Sequence, residues 1–308
     1  MRRGSFGGAL ACVALASALG ACGSHHADRP PPPSGKSRPP VILGTWSFVE
    51  EDVLGELYAQ ALRAKGFHVK RKRDIGTSEI IDRAITAGTI DVYPEYLGII
   101  LTAIGHDMRR QRTPAKVYAR AAAFERRRGL VLLERTPFED RDAVAVKPAF
   151  AATHDLETVG DLRKLGSSVT IGAPPEFRTR LTGLVGMRRT YGITEIRFRP
   201  LLDPTQYAAL DAGRVQAIDV STTDLQLMRP GRYRLLRDPE TIFGIENVAP
   251  VVRRRVLDQQ GPAFARTLNA VSRVLTTPLM RGMNAEVVFN KRSPAAVARE
   301  FLRRHGLV

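Results

Sequence analysis

Between Val41 and Val252, short runs of branched apolar residues alternate with stretches of helical periodicity, and the alternation restarts near Leu156. Strands bury alternate residues, whereas helices bury every third or fourth. A chain that switches repeatedly between the two folds into parallel sheets covered by helices. Val41–Gly44 ends on glycine. A helix follows over Glu50–Lys65, with Leu54, Leu57, Ala61 and Leu62 on one face, and Phe67–Arg71 forms the next strand. Thr77 and Ser78 open a helix that stops before Gly88. Ile90–Tyr93 is a strand, and Thr113-Pro114 starts a helix running to Arg128, with proline where its missing N–H costs nothing. Leu130–Leu133 and Ala143–Val146 are further strands. In the second series, Val169–Gly172, Ile196–Phe198, Ala217–Val220 and Ala249–Val252 read as strands. Glu176–Tyr191 and Tyr207–Ala212 read as helices, and the chain from Leu257 onward is helical. Two series predict two lobes.

The N-terminus reads as a leader. Met1-Arg2-Arg3 precedes an apolar stretch from Gly7 to Ala18, too short to span a bilayer and remain there. Leu19-Gly20-Ala21-Cys22 then places small residues before a cysteine. That is the arrangement of a bacterial lipoprotein signal, with cleavage after residue 21 and Cys22 as the lipidated residue. The competing reading is an ordinary secretory signal with an incidental cysteine. The chain has 2 cysteines, and Cys12 leaves with the leader, so no disulfide and no thiolate metal site is expected. Residues 22–40 are rich in Pro, Ser and Gly and poor in aliphatic side chains, which predicts a semi-extended tether. His25 and His26 lie in it as solvated residues rather than a metal site.

The formal net charge is +16. The arginines fall in short clusters, Arg109-Arg110, Arg126–Arg128 and Arg253–Arg255, scattered along the chain rather than gathered in one stripe. This argues against a nucleic-acid partner and leaves attraction to an anionic membrane surface as a secondary reading. No nucleophile elbow, phosphate-cradling Gly-rich loop or His-Glu-x-x-His motif occurs. His68, His106, His154 and His305 stand apart from one another, so neither an enzyme nor a cofactor is expected.

Three segments carry a resemblance: Val41–Ala64, Ile75–Thr102 and Leu268–Val308. Their most specific piece is Asp91-Val-Tyr-Pro-Glu-Tyr-Leu-Gly98. Together they resemble the substrate-binding proteins of glycine betaine, carnitine and choline ABC transporters. The resemblance implies an α/β, two-lobed periplasmic-binding-protein fold of type II. Two hinge strands, near Asp142–Val146 and Val248–Val252, would join the lobes, with a ligand cleft between them. Lobe 1 would comprise residues 41–145 and 249–308, and lobe 2 residues 146–248. It implies an extracytoplasmic, lipid-anchored component that closes on a small cationic or zwitterionic solute and presents it to a membrane permease. The alternative is a sensory or scaffold envelope lipoprotein that keeps the fold without import.

In this family a cage of tyrosines holds a quaternary ammonium, and an arginine holds the ligand carboxylate. By resemblance Tyr96 is a cage ring and Arg180 the carboxylate-binding arginine. The pattern then departs: Asp142, Ser221 and Glu246 stand where cage tyrosines are usual, Trp46 where a lysine is common, and Glu51 where a glutamine is. Carboxylates in a closing cleft favour a ligand with N–H donors over trimethylammonium, which has none. Each residue also has a structural reading. Asp142 and Glu246 could face solvent at the hinge, Arg180 could pair with Glu176 one turn away, and Trp46 could pack in the core.

Overall fold

The computed structural model describes residues 39–46, 48–201 and 205–308. The expected leader, Cys22, and the tether up to Arg38 lie outside the described residues. In chain order the first sheet takes β1 (Val41–Gly44), α1 (Val49–Ala64), β2 (Val69–Lys72), α2 (Ser78–Ala87), β3 (Val92–Tyr96), α3 (Leu97–Ile99), α4 (Pro114–Arg127) and β4 (Leu130–Leu132). A single wide helical turn, Ile100–Ile104, extends α3. The chain then crosses to β5 (Asp142–Val146), α5 (Pro148–Thr153), β6 (Thr170–Ala173), α6 (Leu184–Tyr191), β7 (Arg197–Pro200), α7 (Thr205–Asp211), β8 (Ala217–Ser221) and β9 (Arg234–Leu235). It returns through β10 (Val248–Arg253) to α8 (Arg254–Gln260), α9 (Pro262–Val274), α10 (Thr277–Val288) and α11 (Pro294–Arg304).

The two five-stranded sheets share one plan. The first is ordered β2-β1-β3-β10-β4 and the second β7-β6-β8-β5-β9. In each, four strands run in one direction, and the fourth position holds the one antiparallel strand, reached after a crossing: β10 in the first sheet, β5 in the second. This is the two-lobed α/β architecture that the alternation predicts. The strands expected to cross each belong wholly to one sheet. The crossings are the segments just before them, and these pair with each other through an antiparallel bridge between Glu139 and Asn247. Thr136 ties the two segments further, since its hydroxyl donates to the Phe138 carbonyl and accepts from the Val248 amide.

Helices cover both faces of each sheet, so strand residues are apolar on both sides. Val41 and Leu43 pack with Leu54, Leu57, Phe264, Leu268 and Phe301, while Tyr93 packs on the other face with Ile81, Ile85 and Val117. In the second sheet Val144 meets Leu184 and Met187, and Ala145 meets Tyr207 and Leu210.

Two local departures from the sequence expectation have physical causes. β3 starts two residues later than predicted and continues through Pro94 to Tyr96. It can do so because Pro94 lies opposite Pro250 of β10, a position of the antiparallel ladder where neither residue has to donate. The helix predicted over Glu176–Tyr191 is broken into a 3-10 turn, Pro175–Arg178, and α6. Gly183 and Gly186 mark the break: a Cβ on either would collide with the carbonyls of Phe177 and Leu181. Arg180 therefore sits at the break, exposed: its amide closes one turn on the Glu176 carbonyl at 3.1 Å, but its guanidinium forms no ion pair with Glu176.

Candidate functional site: the cleft between the two sheets

Parallel strands deliver their C-terminal ends to one edge of a sheet, and α/β folds bind ligands there. At that edge of the first sheet, β1 turns through Thr45 and Trp46 into α1. The first helical turn carries Glu50, Glu51 and Asp52, where the exposed peptide N–H groups favour negative charge. Beside it, β3 ends at Tyr96. The rings of Trp46, Phe48 and Tyr96 meet here. Trp46 stands edge-on to Tyr96 at 6.1 Å and to Phe48 at 5.8 Å, and Phe48 stacks on Tyr96 at 6.4 Å. Phe48 is 38% exposed whereas Tyr96 is buried, so the cluster is rooted in the lobe and opens outward.

Carboxylates crowd around the rings. Glu50 is 3% exposed. It accepts hydrogen bonds from the Tyr96 hydroxyl at 2.7 Å and from the Asn284 side-chain amide of α10 at 2.9 Å. Burial pushes its carboxyl up to about 8, with the Asp140 charge adding to the rise and its hydrogen bonds opposing it. Glu51 is fully buried and accepts from the Trp46 amide at 3.3 Å, while its Oε1 has no partner. Burial, then the neighbouring Glu95, hold its carboxyl well above the usual range. Glu95, in β3, is buried and takes the Tyr96 amide at 2.8 Å and the Ser78 hydroxyl at 3.1 Å.

The second lobe adds Asp140, Asp142 and Asp219. Asp142 of β5 lies opposite Ser221 of β8, and Asp219 sits on the same face two residues away. The Ser221 hydroxyl donates to Asp140 and lies 3.0 Å from the Thr223 hydroxyl. Burial raises Asp142 to about 6; Arg180 pulls it down and Asp140 pushes it up. Asp219 is held well above its ordinary value by burial and by Asp142, and its Oδ1 has no hydrogen-bond partner. Arg180 forms no ion pair within the described residues, yet it is close enough for its charge to act on both aspartates.

Glu246 has a separate position. Its carboxylate accepts from the Gly98 amide at 2.9 Å and the Ile99 amide at 3.3 Å, capping α3. Gly98 is required there, because a Cβ would occupy the Glu246 carboxylate. Burial pushes Glu246 up to about 8. It is thus a strut between the returning crossing segment and the helix that follows Tyr96.

The lobes are bridged on both sides of this cluster. The Arg281 guanidinium of α10 donates to the Thr222 carbonyl, with Nε at 3.2 Å. Across the seam, Arg110 donates to the Thr190 hydroxyl at 3.0 Å, and Arg112 pairs with Glu240 at 2.7 Å. A cavity of about 130 Å³ lies on that side, lined by Gly98, Leu101 and Met108 from one lobe and Leu181, Ile242 and Gly244 from the other.

Of the residues singled out in the sequence, Trp46, Glu51 and Tyr96 gather at the first-lobe edge. Asp142, Ser221 and Arg180 gather on the second lobe, and Glu246 lies at the crossing. Sequence reasoning passed over Phe48, Glu50, Asp140, Thr223, Asn284 and Arg281. Glu50 carried a signal, being one of three consecutive acids at a helix start. Asn284 lies in the third segment that carries the resemblance, but nothing local marks it or Arg281 as a cleft residue, and Asn284 meets Glu50 across 234 residues of chain. Among the described residues there is no group of three or more metal-binding side chains, and no helix is long and apolar enough to cross a membrane.

Comparison with known proteins agrees with this geometry. The chain is 30% identical over 277 residues to a glycine-betaine-binding protein of Pseudomonas aeruginosa, covering 86% of this chain and 88% of that one. It is 25% identical to the glycine betaine-binding protein YehZ of Escherichia coli, covering 87% and 91%. It is 24% identical to an ergothioneine transport permease/binding protein, EgtU, of Helicobacter pylori, of which it spans 48% of the length. The fold matches a solved glycine betaine/carnitine/choline ABC transporter structure with a TM-score of 0.79 at 22% identity, over 87% of this chain and 99% of that one. It matches apo YehZ with a TM-score of 0.74 at 24% identity, over 87% and 99%. Residues 39–304 match the substrate-binding domain of ABC-type glycine betaine transport systems, and the chain belongs to that family.

Proposed function

We propose that the chain captures a small cation or zwitterion in the cleft between its two sheets and delivers it to an ABC permease. We further propose that it acts outside the cytoplasm, anchored through a lipid on Cys22. One observation carries the ligand class: the rings of Trp46, Phe48 and Tyr96 converge with Glu50 and Asp140 on the seam between the lobes. Ring faces attract cations, and desolvated carboxylates need one. The relatives carry names that specify glycine betaine, carnitine and ergothioneine, all of which bear a quaternary ammonium beside a carboxylate. In this chain the surplus of carboxylates supports a cation that also donates N–H bonds, such as a guanidinium, primary amine or imidazolium. Arg180 supports a ligand carboxylate at the second-lobe end.

The test is calorimetric titration with glycine betaine, choline, carnitine and ergothioneine on one side, and arginine, agmatine and putrescine on the other. Saturable binding of any one of these, lost in Tyr96→Ala, supports the cleft as the site. Binding unchanged in both Tyr96→Ala and Arg180→Ala would place the ligand elsewhere.

A further inference from the structure

The end of the first sheet opposite the cleft carries its own charge pattern. The helices α1, α2 and α4 run back along the sheet, so their C-termini collect at the pole where β1, β3 and β4 begin and β10 ends. The Arg254 amide bonds to the Gly129 carbonyl, and the Arg253 amide bonds to the Asp91 carbonyl, which brings the Arg126–Arg128 and Arg253–Arg255 clusters together. Arg128 and Arg253 are consumed locally by Asp82, Glu125 and Asp91. Arg126, Arg127, Arg254 and Arg255 are exposed, as are Lys65 and Arg83, and none of these forms an ion pair within the described residues.

A structural role accounts for only half of this. Arg126 and Arg127 lie in the last turn of α4, where cations complement the carbonyl ends. Arg254 and Arg255 lie in the first turn of α8, where the peptide dipoles disfavour a cation, and the one nearby uncommitted acid is Asp258. Two cations held at an unfavourable place, beside two others, point to an external negative charge. The chain also enters the fold at this pole: Pro39 precedes β1, and its carbonyl accepts from the Gln260 side chain of α8 at 2.8 Å. The described chain therefore begins at the pole that carries the arginines.

We propose that this pole is a docking face for an anionic lipid surface. The inference rests on the reading that residues 22–40 tether the chain to a membrane, and it is independent of which solute binds. The face lies across the full length of β10 from the cleft, about 20 Å for six residues. A docked molecule turns its cleft away from the bilayer, and a tethered molecule must release the face to meet a permease. Each surface arginine adds to attraction by an anionic leaflet, and salt screens it.

The experiment is vesicle co-sedimentation of residues 39–308, which contain the whole described core, with phosphatidylcholine vesicles with or without phosphatidylglycerol. The account predicts binding to the anionic vesicles only. Reversing four charges, R126E/R127E/R254E/R255E, should weaken it roughly tenfold or more. The pair R254Q/R255Q should weaken it by a smaller factor and serves if the quadruple variant does not fold. Reversal on the far lobe, R197E/R199E in β7, should leave it unchanged. Absence of parental binding to anionic vesicles would overturn the proposal, as would equal loss in the β7 variant. Solute titration of the same variants stays at the parental value, which separates failure of this face from failure of the cleft reading.

Discussion

Lowering the pH should empty the cleft, and Glu50 sets where. In the ligand-free protein its carboxyl is pushed up to about 8 by burial beside Asp140. A bound cation favours the ionised form, so binding expels a proton whenever the pH lies below that midpoint. Two units below it, about one molecule in a hundred is ionised, and the apparent affinity at pH 6 should be roughly 100-fold weaker than its high-pH plateau. At 1.36 kcal/mol per unit this is about 2.7 kcal/mol. Calorimetry at pH 6 to 9, in two buffers of different ionisation enthalpy, reads both the affinity slope and the protons released. Glu50→Gln keeps the shape and the hydrogen-bonding oxygen but removes the charge, so it should flatten the slope at the low-pH affinity. Glu246 also titrates near 8 but is occupied by two backbone amides, so Glu246→Gln should keep most of the slope. A flat parental profile, or a full slope surviving in Glu50→Gln, would refute the reasoning.

Three further outcomes follow from the same contacts. Without ligand, Glu50 and Glu246 have native pKa values above their ordinary ones, so their contribution to stability is complete below about pH 4.5 and is lost as the pH rises through about 8. The melting temperature of the ligand-free protein should therefore fall between pH 6 and 9, and a saturating cation should cancel the fall. Gly98→Ala should displace Glu246 from its amides at a cost of about 1–3 kcal/mol. In a double-mutant cycle by denaturant unfolding, Glu246→Ala should add little on the Gly98→Ala background, whereas full additivity would show that the two do not share an interaction. Arg281→Ala removes a bridge from α10 to Thr222 across the cleft, so it should weaken ligand binding mainly through faster release in stopped-flow measurements.

The elements were legible where local chemistry decides them. Thr77 before α2 and Gly88 in the left-handed conformation after it sit where the sequence placed the helix ends, and Thr113 caps the Lys116 amide at the start of α4. The two-lobed plan followed from the restart of the alternation. What could not be read is what long-range pairing decides. Pro94 ends a strand by local rules, and only Pro250, far along the chain, makes it harmless. The break before α6 depends on glycines that let two turns approach closely, a contact that periodicity cannot register. The site was half legible for the same reason. Trp46, Glu51 and Tyr96 stand at positions that the resemblance marks, whereas nothing local marks Asp140, Asn284 and Arg281, which the fold brings to the cleft. Arg180 acts on Asp142 from the turn between the 3-10 segment and α6, a placement that periodicity does not register.

The central claim is that rings and buried carboxylates at the seam between the sheets hold a cation. Trp46 is the single tryptophan of the chain and belongs to that cluster, so its emission reports on the site directly. The measurement is fluorescence titration with the solute panel, on the parent and on a Glu50→Gln/Asp140→Asn variant. The account predicts a saturable change with at least one cation, lost or strongly weakened in the variant. A saturable change of equal midpoint in both proteins, or calorimetric binding that leaves Trp46 emission untouched, would contradict it.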